Sequence, residues 1–351
     1  MSNTTQQPSR MLWADILKFW GILAIAWGHT LNDGAVMKYL YSFHVAIFFF
    51  AVGLYFKSPR ISFGSFCKKR AISLLVPYFI FAVISTLIYA VLGKVASVSL
   101  DAGVTDFSLR TNLYDILTGR CRANRPLWFL PSMFIFSILC FGFTKLTDKC
   151  SNRLRNLMYI LAATLSIVLC IISGLDSRGH VMFWKANTAV FLFGFFVFAI
   201  MGKPLLMGTS VKFHSILLMV LLLVLGCILA LQNIAVSYPS NTYGNVLLFY
   251  ISATCTIFGL CLLSIFISHA NIPIIHKTLA YVGQHTLPIL LMHKFPILFF
   301  QVLFPWTRQP MKNNNVFVGL VVALLSIAGC LAVAQIWKKA LGTILPKFKS
   351  R

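Results

Sequence analysis

Glutamate is absent from this 351-residue chain, and seven aspartates are its entire stock of side-chain carboxylates. Any step that needs a carboxylate is therefore confined to Asp15, Asp33, Asp101, Asp106, Asp115, Asp148 or Asp176. Charge of either sign is scarce: 11% of residues are charged, where a soluble domain carries about a quarter. The nine cysteines form no C-x-x-C pair and show no metal-ligand spacing. Cys140, Cys170, Cys227, Cys255, Cys261 and Cys330 lie inside apolar runs and read as small buried hydrophobes, so no metal site is expected. Internal repeats, low-complexity tracts and a separate soluble domain are also missing. A cleavable leader is not expected either. The first apolar run contains Asp15, Lys18 and His29 and has no clear small-residue cleavage site, so it reads as a retained span.

What the chain has in abundance is apolar: 59% of residues are hydrophobic, and the mean hydropathy is +0.84. Runs of about twenty such residues recur, each long enough to cross the hydrocarbon core as a helix. They predict an all-α, polytopic transmembrane bundle of about ten spans. These lie at roughly 12–31, 40–56, 73–93, 126–144, 156–174, 186–201, 214–231, 246–268, 279–304 and 316–336. The expected plan is a short segment 1–11, a membrane domain 12–336 and a basic tail 337–351. The net charge of +23 sits in short clusters between apolar runs. That placement orients a membrane protein and argues against nucleic acid as a partner. With the N-terminus inside, eighteen basic residues fall in inner segments and ten in outer ones. Both termini are thus expected in the cytoplasm, and the protein in the inner (plasma) membrane. Its oligomeric state has no signature in the sequence.

Ionisable groups inside a span are costly and are candidates for function. Lys18 and His29 are eleven residues apart in the first span, close to three helical turns, so they share one face about 16 Å apart along the axis. Asp15, three residues before Lys18, is spaced for a helical ion pair, and Lys18 equally fits a side chain snorkelling to the interface. Asp33 either orients His29 or sits in a turn of the LNDG stretch. His44 opens the second span at the depth of His29. A neutral imidazole can take a proton from a hydroxyl near neutral pH. His285 and His293 lie in the ninth span, His293 beside Lys294. Either reads as a packing residue or as part of a site. Two predicted outer segments, 94–125 with Arg125 and 232–245 ending at Asn245, have the polar and aromatic content that suits a carbohydrate. They equally suit solvated connections.

These residues also carry a resemblance. D-x-x-K with a GHT beginning ten residues after the Lys, then YSFHVAIFFFAVGLYF, a basic loop ending LLVPYF, LWFL, YGNVLLFYISATCTIFGL and YVGQHTLPILLMHKFPI follow in order over residues 12–300. Together they resemble the integral-membrane acyltransferases of acyltransferase family three, and within it the fucose 4-O-acetylase-like branch. The resemblance implies a membrane O-acetyltransferase moving an acetyl group from cytosolic acetyl-CoA, a co-substrate with no bound cofactor, to a sugar hydroxyl of a surface or lipid-linked glycan. It implies catalytic roles for His29, Lys18 and His44, and a donor site at Lys68, Lys69 and Arg70. Asp33, Arg125, Trp128, Asn245 and His293 are acceptor-side candidates, although Trp128 equally suits an interfacial anchor. Many members carry two Arg three residues apart in the basic loop, whereas here Arg70 is followed by Ser73. That departure shifts phosphate contacts toward lysines, which lack the bidentate fork of Arg. A transporter or glycan flippase is the alternative from another class, opposed by the missing repeat and the few membrane carboxylates. A non-catalytic membrane scaffold is a third.

Overall fold

The fold follows from apolar runs that are interrupted at a few chemically defined points. A computed structural model describes residues 11–58, 60–95, 109–175, 182–270, 272–304 and 315–344. The segment before Met11, the stretch 96–108 with Asp101 and Asp106, Asp176, and the tail beyond Ile344 lie outside the described residues. No strand occurs among the described residues. A single antiparallel bridge joins Ser237 and Thr242.

The first helix, α1, is Leu12–Gly28. The hydroxyl of Thr30 donates back to the Trp27 carbonyl (2.7 Å), and Gly34, at φ +99°, lets the chain reverse. Asp33 lies exposed in this turn, so the LNDG stretch is a turn and the helix does not persist to it. The second expected span is two helices, α2 (Ala35–Phe43) and α3 (Ala46–Tyr55), broken at His44. No proline is needed for this break. The His44 imidazole takes the Leu40 carbonyl at 3.0 Å, the same oxygen that its own backbone N–H uses at 3.1 Å.

After α4 (Phe63–Arg70), the turn Ala71–Leu75 widens to π geometry before α5 (Val76–Val95) continues. A short helix, α6 (Leu109–Leu117), precedes a 3-10 turn at Arg125–Trp128, which leads into α7 (Phe129–Thr147). The long helix α8 (Asn152–Leu175) is followed by a bent pair, α9 (Ala186–Phe191) and α10 (Phe193–Met207). Next come α11 (Phe213–Gln232) and α12 (Val246–His269). The ninth expected span is then broken twice, into α13 (Pro273–Gln284), α14 (Thr286–Met292) and α15 (Lys294–Leu303). Pro288 and Pro296 each lie three residues after a break, at His285 and His293, and lack the N–H that would have bonded four residues back. The last helix, α16 (Val316–Ile344), runs eight residues past the expected boundary at 336.

Seven helical stretches among the described residues are long and apolar enough to cross a membrane, and the bent pair at Phe183–Met207 makes an eighth. The first and ninth expected spans are not among them; α1 has 17 residues. In the bundle, α1 is central and packs against α12, α13 and α16 as well as α2 and α3. Gly283 permits the closest approach: a Cβ there would fall 1.8 Å from the Asp15 carbonyl oxygen. The span Val246–His269 is 61% buried, whereas Phe213–Gln232 is 17% buried and turns most of its Leu and Ile side chains outward, as a lipid-facing helix does.

Candidate active site

Two cavities lie along the same face of α1. Lys18 lines the first, of about 420 Å³, with Tyr55, Arg70, Ser73 and Thr286 as its polar neighbours. Its ammonium pairs with Asp15 Oδ1 at 2.8 Å and lies 5.4 Å from the centre of the Tyr55 ring. Asp15 is only 1% exposed, and its two oxygens also accept from Tyr55 Oη (3.3 Å) and Gln284 Nε2 (3.1 Å). Pairing with Asp15 and facing the cavity therefore coexist in Lys18. The ion pair fixes the side chain while its partly exposed head faces the open volume. Arg70 reaches the cavity through the π turn, with its guanidinium over the Phe66 ring at 5.3 Å, and the Ser73 hydroxyl donates to the Arg70 carbonyl at 3.1 Å. Local π geometry inside α-helices is frequent at functional sites.

The second cavity, about 310 Å³, holds His29, His44, Arg125, Trp128, Tyr238 and Lys294 on its walls. Among the described residues, no carboxylate lines it. His44 Nδ1 faces the Leu40 carbonyl, which only accepts, so Nδ1 carries the hydrogen, and Nε2 of the neutral ring carries the lone pair. The same reasoning fixes His293, whose Nδ1 donates to the carbonyls of Ile289 (3.0 Å) and Leu290 (3.1 Å). His293 is fully buried, its Nε2 has no hydrogen-bond partner, and its ring centre is 5.3 Å from that of His29. His44 packs at a tilt against Tyr41 (4.5 Å) and meets Tyr238 edge-on (5.3 Å).

The polar loop after α11 is part of this wall. Tyr238 donates to the Ser42 carbonyl at 3.1 Å, which docks the loop on the break beside His44. Asn233 holds the base of the loop through the Tyr243 and Asn245 carbonyls and the backbone N–H groups of Ile234 and Asn245. Gly244, at φ +62°, is required there because a Cβ would meet Asn233 Oδ1 at 2.2 Å. From the opposite side, buried Lys185 donates its ammonium to the Pro239 carbonyl. Trp184 and Lys185 hold φ of 52° and 53°, a left-handed pair that is rare for residues with a Cβ.

The structure gathers His29, His44, Arg125, Trp128 and His293 at one end of α1, and Lys18 with Arg70 at the other. It does not gather the rest. Lys68 and Lys69 are exposed on α4 and line neither cavity, so among the basic trio only Arg70 faces the first one. Asn245 caps α12, where its side-chain oxygen accepts from Leu247 N (3.0 Å) and Leu248 N (3.1 Å). Asp33 lies outside both linings. His285 also lines neither cavity, and its ring packs at a tilt against Tyr281 at 4.2 Å. Sequence reasoning missed Tyr55, Gln284 and Tyr238, because each reaches the site from an element far away in the chain, and Tyr41, which lies only three residues before His44.

No curated protein and no solved structure matches the chain. The family described as an acyltransferase domain, acyltransferase 3, matches residues 11–335, which takes in both cavities and every helix that walls them. On that match the chain belongs to the acyltransferase 3 family and is a multi-pass membrane acyltransferase.

Proposed function

We propose that the protein transfers an acetyl group from acetyl-CoA, bound from the cytoplasm at the Lys18 end, to a sugar hydroxyl of an envelope glycan at the His29 end. The observation that carries this reading is the pair of cavities of unlike chemistry on one face of α1. One presents Lys18 and Arg70, and the other His29, His44 and an aromatic wall. Arg70 meets the phosphates of the donor, and Lys18 draws the thioester end inward by its charge. His29 removes the proton of the acceptor hydroxyl as that oxygen attacks the thioester carbonyl. A carbon–oxygen ester bond forms, the carbon–sulfur bond breaks, and the departing thiolate takes a proton from His29 to leave as the free thiol of CoA. The His293 ring, 5.3 Å from that of His29 centre to centre and with its Nε2 lone pair free, serves as the partner that orients the base. His44 Nε2 and Tyr238 orient the sugar, and Trp128 offers a ring face to it. The order of sequence blocks that resembles the fucose 4-O-acetylase-like branch supports a carbohydrate acceptor.

Mass spectrometry of surface glycans from cells with and without the gene should show loss of one acetyl group. His29→Ala should abolish that acetylation at normal protein levels; retained acetylation would remove His29 from catalysis. Lys18→Arg should keep activity and Lys18→Met should lose it, and equal loss in both would contradict a role based on charge.

A further inference from the structure

The two cavities adjoin. Ile25, Phe129 and Leu290 line both of them, and these three side chains are 4%, 9% and 5% exposed. They come from three separate elements: the middle of α1, the first residue of α7 and the short helix α14. On α1, residues 18, 22, 25 and 29 follow one another at helical spacing, and all four face the cavities. Ile25 is two turns from Lys18 and one turn, about 6 Å, from His29. The floor of the His29 chamber is therefore the roof of the Lys18 chamber, and it is wholly apolar.

We infer that Ile25, Phe129 and Leu290 form a partition through which the thioester end of the donor reaches His29, and that it limits the transferred acyl group to short, unbranched chains. This rests on the acyl-transfer reading above. A thioester carbonyl held near His29 directs its acyl chain away from the partition, into the chamber of about 310 Å³ that the acceptor must share. Each added methylene competes with the acceptor for that volume, and a branch at the first carbon has to pass between three packed side chains. One methylene too many in an apolar pocket costs about tenfold or more in discrimination. Buried neighbours hold the partition in place. Phe129 packs on Phe48 (5.8 Å) and Phe49 (6.0 Å). Asn124 Nδ2 donates to the Leu291 carbonyl at 2.9 Å, tying the turn before Phe129 to the helix that carries Leu290.

The test uses membranes from cells expressing the full chain, supplied with radiolabelled acetyl-, butyryl-, isobutyryl- or hexanoyl-CoA, and follows label entering the endogenous acceptor. Wild type should incorporate acetyl well and each of the others at least about tenfold less. Phe129→Ala and Leu290→Ala should each raise the butyryl-to-acetyl and isobutyryl-to-acetyl ratios about tenfold. Ile25→Phe, which fills the partition, should depress acetyl transfer and leave those ratios low. Wild type that takes hexanoyl as readily as acetyl overturns the partition without any variant. So do enlarged variants that keep the wild-type ratios. Absence of any incorporation by wild type instead overturns the acyl-transfer reading itself.

Discussion

At the scale of single residues, Asp15 shows how one carboxylate in a membrane interior organises a site. It is buried with Lys18, Tyr55 and Gln284 around it, so three donors from three elements converge on two oxygens. Removing one partner of a buried ion pair leaves the other charge uncompensated, which costs about 3–5 kcal/mol when both groups are fully buried. Lys18 is 21% exposed, so the cost here lies toward the low end. Asp15→Asn keeps the shape but drops the charge, and Lys18 then loses its fixed direction. Donor turnover in isolated membranes should fall at least about tenfold while protein levels stay near wild type. Asp15→Ala should also lower the amount of monodisperse protein extracted in mild detergent, because the ion pair to Lys18 is lost together with the hydrogen bonds from Tyr55 and Gln284, each worth about 0.5–1.5 kcal/mol. The Asp15–Lys18 spacing was legible in the sequence as a pair. The other two donors were not, because Tyr55 is forty residues away and Gln284 far beyond that.

At the scale of elements, the site is built where helices fail to continue. His29 ends α1, His44 divides α2 from α3, and His293 divides α14 from α15. Pro296 accounts for the last break and was readable in the sequence. The break at His44 has no proline within four residues, and nothing in the local composition announces it. The π turn at Ala71–Leu75 is equally silent in sequence, yet it sets how Arg70 and Ser73 face the same cavity. Deleting Ile72, an outward-facing residue at 57% exposure, should restore α geometry. It would remove the one residue that the wider turn absorbs, so α5 keeps its face while the local placement of Ser73 relative to Arg70 changes. The deletion should insert into the membrane normally and lose acyl transfer, whereas Ile72→Ala should retain it. A fully active deletion would show that the π turn has no part in donor binding.

At the scale of the whole molecule, the bundle separates a lipid-facing outside from a carved interior. Leu and Ile on α8 and α11 face outward, while α1, α3, α7 and α14 supply walls of the cavities. The proposed direction of transfer requires the His29 end to face away from the cytoplasm. In a background with the native cysteines replaced, Ser240→Cys should react with a membrane-impermeant maleimide in intact cells. Cysteine at Arg60 should react only after permeabilisation. The reverse pattern would invert the orientation and with it the assignment of donor and acceptor sides. Composition alone settled that this chain is a helical membrane protein, since apolar runs of span length have few other outcomes in water or lipid. Helical periodicity alone put Lys18 and His29 on one face, because both lie on a single continuous helix. The folded structure decided what faces them: Tyr55 and Arg70 at one end, His293 and the Tyr238 loop at the other, and Ile25, Phe129 and Leu290 between. Those contacts join residues as much as 265 positions apart, and such proximity is fixed by packing between helices, which no local pattern encodes.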